Sequence, residues 1–243
     1  MNIAGSGSIP GGVYQDSIHI SGSGRVTGDV SCIDFKVSGS GRVSGKLQAS
    51  GSVGVSGSGN VDGDLETGSL HTAGAFNCDG CITVKGDAVI SGAMSCQSLT
   101  ATEIQMSGGC SVDGDMTAEI ARIHGSIKSE GLLNAEDIEI KFAPSSEFGS
   151  IGGSKITIEP SRDEVKRGLF RRLFSSKNHP GNFLVKDSIE GDEISLKYVT
   201  APTVSGRVVT VGPGCIIEKL EYTESCDISP DAVVQNAEGP EIF

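Results

Sequence analysis

Two cysteines three residues apart, Cys78-Asp-Gly-Cys81, come closest to a chemical motif in this chain. A Cys-x-x-Cys pair could hold zinc or shuttle between dithiol and disulfide, since both need two sulfurs within bonding reach. The setting argues against both. Strand alternation puts Cys78 in line with Val61 and Val112 on one side, and Cys81 in line with Asp64 and Asp115 on the other. Two thiols on opposite faces cannot share a metal, so Cys78 reads as a small buried apolar residue. Asp62-Gly-Asp64, Asp79 and Asp113-Gly-Asp115 supply carboxylates of the kind calcium prefers, but without the Gly-Gly-x-Gly-x-Asp repeat of calcium-binding β-rolls. Asp29, Lys46 and Asp64 alternate in sign, and Arg25, Arg42, Asn60 and Asn77 form a second polar column, as surface ladders do. His19, His71, His124 and His179 differ in register, and none accompanies a nucleophile motif or a phosphate loop. The reading is a non-enzyme with no catalytic residue, metal, cofactor or small-molecule substrate.

A second kind of chemistry lies in residues 164–177. As a helix, Val165, Leu169 and Leu173 share one side with Phe170 and Phe174, while Lys166, Arg167, Arg171 and Arg172 line the other. Five positive charges and no negative ones fall between 165 and 177, so the rest of the chain carries −17. This is the composition of an interfacial amphipathic helix, too short to span a bilayer. Each basic residue near an anionic leaflet contributes roughly 1 kcal/mol. Three roles compete: docking to a membrane surface, docking to a protein partner, or covering the flank of the fold with the basic side toward its acidic surface. Gly168 at the centre weakens the helix by about 1 kcal/mol relative to alanine.

The elements that position these residues repeat. Glycine recurs at Gly11, Gly28, Gly45, Gly63, Gly80, Gly114 and Gly131, interrupted only by Gln97; one step is 18 and the others fit 17. Two residues before the glycine stand Ile9, Val26, Val43, Val61, Cys78, Ser95, Val112 and Ser129. Two after it stand Val13, Val30, Leu47, Leu65, Ile82, Leu99, Met116 and Leu133. Eight before it stand Ile3, Ile20, Val37, Val55, Thr72, Val89, Met106 and Ile123. A period this short means each unit buries its apolar face only by stacking on the next. Within a unit, as in Ile33-x-Phe35-x-Val37, the spacing is two, which is strand spacing. Ser-Gly clusters supply the turns. The expected fold is all-β: a parallel β-helix of three short strands per rung, about 4.8 Å apart, with aliphatic ladders inside. Uneven inner spacing, unlike the strict hexapeptide of left-handed acyltransferases, points to the right-handed form.

The chain of 243 residues divides into regular repeats over 1–159, an inserted basic amphipathic segment over 160–182, and continuing rungs with a C-terminal cap over 183–243. A net charge of −12 argues against general nucleic-acid binding. No basic leader with an apolar core and no apolar run of 18 is visible, and seven cysteines, an odd number, fit a reducing compartment. The expected location is cytoplasmic, peripheral to the inner face of the cell membrane if the basic segment docks there.

Units such as Gly41-Arg-Val-Ser-Gly45-Lys-Leu47 and Gly59-Asn-Val-Asp-Gly63-Asp-Leu65 resemble those of the bactofilins, a bacterial polymer-forming cytoskeletal family. The run Val204-Ser-Gly-Arg-Val-Val-Thr-Val-Gly-Pro-Gly-Cys-Ile-Ile-Glu-Lys-Leu-Glu-Tyr222 is similar to the end of the longer Gram-positive members. The resemblance implies a right-handed β-helix that polymerises end to end without nucleotide and organises envelope-associated or morphogenetic machinery, often at the membrane. The chain departs from the family in lacking Pro-containing tails and a short N-terminal anchor. Physics supports the same expectation, because a β-helix leaves an unpaired strand edge at each end. Ile3, Ile9 and Val13 are expected at one terminal interface and Ile228, Val233 and Val234 at the other, the partner being the chain itself or a paralogue. A non-polymerising adaptor using 164–177, and a hexapeptide-type acyltransferase, are the competing functions.

Overall fold

Apolar residues two apart, broken every few positions by glycine and serine, fold here into short parallel strands. The structure, a computed structural model, describes residues 1–161 and 182–240. These contain strands and turns and no helix. Two compact units divide the chain, Met1–Ala118 and Glu119–Phe243. The sequence segment 160–182, with Lys166, Arg167, Leu169, Phe170, Arg171, Arg172, Leu173 and Phe174, lies almost wholly outside the described residues.

In the first unit each rung pairs in parallel with the next, and equivalent residues stack. Ile3, Ile20, Val37, Val55 and Thr72 form one interior column, continued by Ile90 and Met106. Leu47, Leu65, Ile82, Leu99 and Met116 form another, all fully buried or nearly so. The second unit repeats the arrangement with Ile123, Ile140, Ile158, Leu196, Val211 and Ile228. Each is an all-β parallel solenoid, as the spacing predicts.

Three registers differ from the sequence reading, and one physical cause serves all: strand side chains alternate, so a one-residue slip turns a side chain to the opposite face. The corner between Val84 and Ala88 has one residue more than that between Thr67 and Leu70, and Cys96 is followed by Leu99 after two residues instead of three. Residues 88–96 are therefore shifted by one. Ile90, not Val89, joins the Ile3 column, and Cys96, not Ser95, pairs with Val112. Gln97 replaces glycine because that corner has lost the residue the glycine occupied. Val13 also leaves its column. A register shift between Pro10 and Gly12 sets Gly12 opposite Val30, and Val13 is 75% exposed. Ile33 lies outside as well, beside the buried Phe35.

A second glycine column, six residues before the first and with the same period, makes the tightest corner. A Cβ on Gly39, Gly57 or Gly74 would lie 2.1, 2.0 or 1.9 Å from the carbonyl oxygen of Gly22, Gly39 or Gly57 in the rung before. No side chain fits there, which accounts for the repeated Ser-Gly-Ser-Gly.

Candidate assembly surfaces

Carboxylates at rung corners accept hydrogen bonds from backbone N–H groups. Asp29 Oδ1 accepts the Lys46 N–H at 2.8 Å, and Asp64 Oδ1 accepts the Cys81 N–H at 3.2 Å. Asp34 ties three successive rungs: Ser17 Oγ donates to its Oδ2, and the Ser52 N–H and Oγ donate to its Oδ1, all at 2.9 Å. Those donors hold the Asp34 carboxyl below its usual range, the Ser52 N–H contributing most. Asp64 is held down by its hydrogen bond to Lys46, 2.7 Å away, then by the Cys81 N–H. Both expected polar columns form: Arg25, Arg42, Asn60 and Asn77 are successive partners, and Lys46 stands between Asp29 and Asp64.

The two cysteines of Cys78-Asp-Gly-Cys81 face opposite ways, Cys78 buried and Cys81 exposed. Burial pushes the Cys78 thiol up to about 11, and its Sγ donates to the Gly63 carbonyl at 3.2 Å. Cys96 and Cys110 are buried with thiols raised by the same cause, Cys110 to about 12. Among the described residues no group of three His, Cys, Asp or Glu side chains is placed to hold a metal. No helix among them is long and apolar enough to cross a membrane.

The strand edges remain. Asn2–Ile3 and Ser6–Val13 pair with Ile18–Ile20 and Ser23–Cys32, and among the described residues no strand pairs with their other side. Among the described residues Val233–Glu238 pairs only with Ile216–Ile228. Of the six residues expected at terminal interfaces, Ile3 and Ile9 are interior column residues, buried within the first rung. Val13 projects outward. Ile228 and Val233 are exposed, at 41% and 56%, and Val234 is half-buried. Strand alternation alone missed Ile216, which pairs with Val233 and is also exposed. It also passed over Pro10, a proline inside Ser6–Val13 whose carbonyl accepts the Tyr14 hydroxyl at 2.7 Å. A proline within a strand signals an edge, and that was the available clue.

The place where 162–181 joins the fold is itself well built. Ser161 N–H donates to the Phe142 carbonyl at 2.9 Å, and Phe183 N–H to that of Tyr198 at 2.9 Å. Asn182 Nδ2 donates to Thr200 Oγ1 and the Gly214 carbonyl, at 2.9 and 3.2 Å. Phe183 packs between Phe142 and Phe148, with ring centroids 5.3 and 5.9 Å away, and all three rings are buried. Pro160 pairs with Phe142 and Leu184 with Glu147, so the strands on either side of 162–181 keep register with the rung before.

Fold and surfaces together define a parallel β-solenoid protein whose accessible chemistry is strand edge and outer face. Among known protein families, the Bactofilin model, described as polymer-forming cytoskeletal, matches residues 1–79, and the resemblance read from the sequence holds there. Two Bacillus subtilis (strain 168) proteins are similar over part of the chain. The uncharacterized protein YhbF is 34% identical over 106 residues, 43% of this chain and 40% of its own length. The uncharacterized protein YhbE is 33% identical over 111 residues, 45% of this chain and 44% of its own. The chain thus spans less than half the length of these curated relatives. No solved structure matches.

Proposed function

We propose that the protein is a self-polymerising scaffold of the bactofilin type, cytoplasmic, assembling without nucleotide through the ends of its solenoid and organising envelope-associated or morphogenetic machinery. The observation that carries this reading is the unpaired side of Asn2–Ile3 and Ser6–Val13, strands that fall within the region matching a polymer-forming family. An uncovered row of backbone donors and acceptors is a template for another chain. The partner is a second copy or a paralogue, with residues around Ile3, Ile9 and Val13 at one junction and Ile228, Val233 and Val234 at the other. Negative-stain microscopy of the purified chain tests it. Filaments are expected from wild type, and fewer from Val13→Asp and Val233→Asp, which place charge at exposed positions without disturbing the interior. Wild type that stays dispersed at high concentration overturns the polymer reading.

A second reading rests on the basic composition of 164–177. In it the segment docks the scaffold, or a non-polymerising adaptor, to an anionic membrane surface through Lys166, Arg167, Arg171 and Arg172, with Leu169, Phe170, Leu173 and Phe174 entering the interface. Co-flotation with vesicles containing phosphatidylserine, lost on deleting 162–181, is the expected result. Equal flotation of both proteins removes it.

A further inference from the structure

In a stack of parallel strands each residue turns its N–H and C=O to one neighbour, and the next residue turns them to the other. The carbonyls of Ile3 and Gly5 accept from the N–H groups of Ser21 and Ser23, each at 3.0 Å. Those residues therefore look toward the second rung. One rung on, the carbonyls of Gly22 and Val26 accept from Ser40 and Ser44 at 2.8 and 2.9 Å, which carries the same phase through the registers of Gly5 and Ile9. Thr27 then turns its backbone back toward the first rung. Its partner Pro10 turns its own to the side where no described strand pairs.

Pro10 has no N–H to offer there. Its carbonyl is already engaged by the Tyr14 hydroxyl at 2.7 Å. Directly afterwards the register slips at Gly11 and Gly12. At this register an approaching strand thus meets no donor, and an acceptor already engaged by one hydrogen bond. Asn2, Ser6 and Ser8, by the same alternation, turn theirs outward.

The edge is also unusual in charge. No side chain of residues 1–15 is ionisable to a charged form at neutral pH, in a chain of net charge −12. Exposed edges are commonly blunted by charge, lysine above all; this one is shortened by backbone chemistry and left without charged side chains. Such an edge adds no local side-chain repulsion toward another copy of an acidic chain, and has no charged side chain with which to select a basic or acidic stranger.

We propose that Pro10 and Tyr14 are a built-in stop, which confines the pairing of a second copy of this chain to residues 2–8 of this edge. The inference rests on the polymer reading above. Restoring the missing groups lengthens the paired edge by one donor and one acceptor, each a hydrogen bond of modest net strength. The test is the critical concentration for sedimentable polymer, measured for the full chain, Pro10→Thr, Tyr14→Phe and the double variant. Pro10→Thr installs the residue found one rung on. The double variant is expected to assemble at roughly a five- to tenfold lower concentration than wild type. Ser8→Pro, which moves the block into the open stretch, is expected to raise it by a similar factor. Thermal midpoints check that each variant folds. Assembly of wild type with unchanged thresholds in folded variants overturns the stop and leaves the polymer reading standing. No sedimentable polymer from any of the folded proteins overturns both.

Discussion

Asp34 earns its place by holding Ser17 and Ser52 from the rungs on either side. Its folded carboxyl binds a proton less readily than a free one, so its contribution to stability is complete above the ordinary carboxylate range, near pH 4. That contribution is lost as pH falls through the depressed folded value. Asp34→Asn should therefore lower the melting temperature at pH 7, and the gap to wild type should narrow toward pH 3. A gap that is constant with pH would mean the carboxylate charge is not what matters. Thr72 offers the opposite case. It stands between Val55 and Ile90 in an interior column, buried, with a hydroxyl that finds no partner. Thr72→Val keeps the shape and removes the unsatisfied group, so denaturant unfolding should show a gain of about 1–2 kcal/mol. The thiols sort by the same logic of burial. Brief alkylation of the native protein at pH 8 should reach Cys81 first, while Cys32, Cys78, Cys96 and Cys110, buried with raised thiols, wait for unfolding.

At the scale of the rung, the glycine column and the aromatic cluster fix what the chain tolerates. Gly57→Ala places a methyl 2.0 Å from the Gly39 carbonyl oxygen, and the two backbones must part. A loss of about 1–3 kcal/mol is expected from chemical denaturation, as for overpacked cores. Phe183→Ala removes the ring between Phe142 and Phe148 and should cost about 3–5 kcal/mol by the same measure. The sequence made the period, the strand spacing and most interior columns legible, because a solenoid repeats each local choice. Val89 and Ser95 were misplaced because counting by 17 cannot see a corner that gains a residue before Ala88 and another that loses one before Leu99, and Val13 because of a separate slip between Pro10 and Gly12; alternation converts each slip into the wrong face. Gln97 held the information: a missing glycine marked a corner of different length. Of the proposed junction, the exposed Ile228 and Val233 could be named from their apolar character at the last strands, whereas the role proposed for Pro10 depends on which way its carbonyl points, and no residue count gives that.

Over the whole molecule, charge sets the terms of self-association. Copies carrying −12 each repel one another, and the repulsion reaches about 30 Å at 0.01 M salt and about 10 Å at 0.1 M. The first strands are uncharged, but Ile216–Ile228 and Val233–Glu238 carry Glu218, Glu221, Glu224, Asp227 and Glu238 against the single cation Lys219. A junction made by the first strands should therefore respond to salt only through this overall repulsion, and one made by the last strands should strengthen with it more steeply. Residues 162–181 hold six basic and two acidic residues, so deleting them takes the chain from −12 to −16. Their two flanks remain pinned at Ser161 and Phe183, and the rungs on either side keep their register, so a short linker in their place should leave the solenoid folded. Sedimentation of the deleted chain should then show a higher threshold for polymer at 0.01 M salt than wild type shows, and the difference should shrink by 0.1 M as screening removes the added repulsion. If instead the deletion abolishes polymer at every salt concentration while the thermal midpoint is kept, the segment supplies a contact between copies, and its basic side chains act on the acidic last strands of a neighbour, not only through net charge.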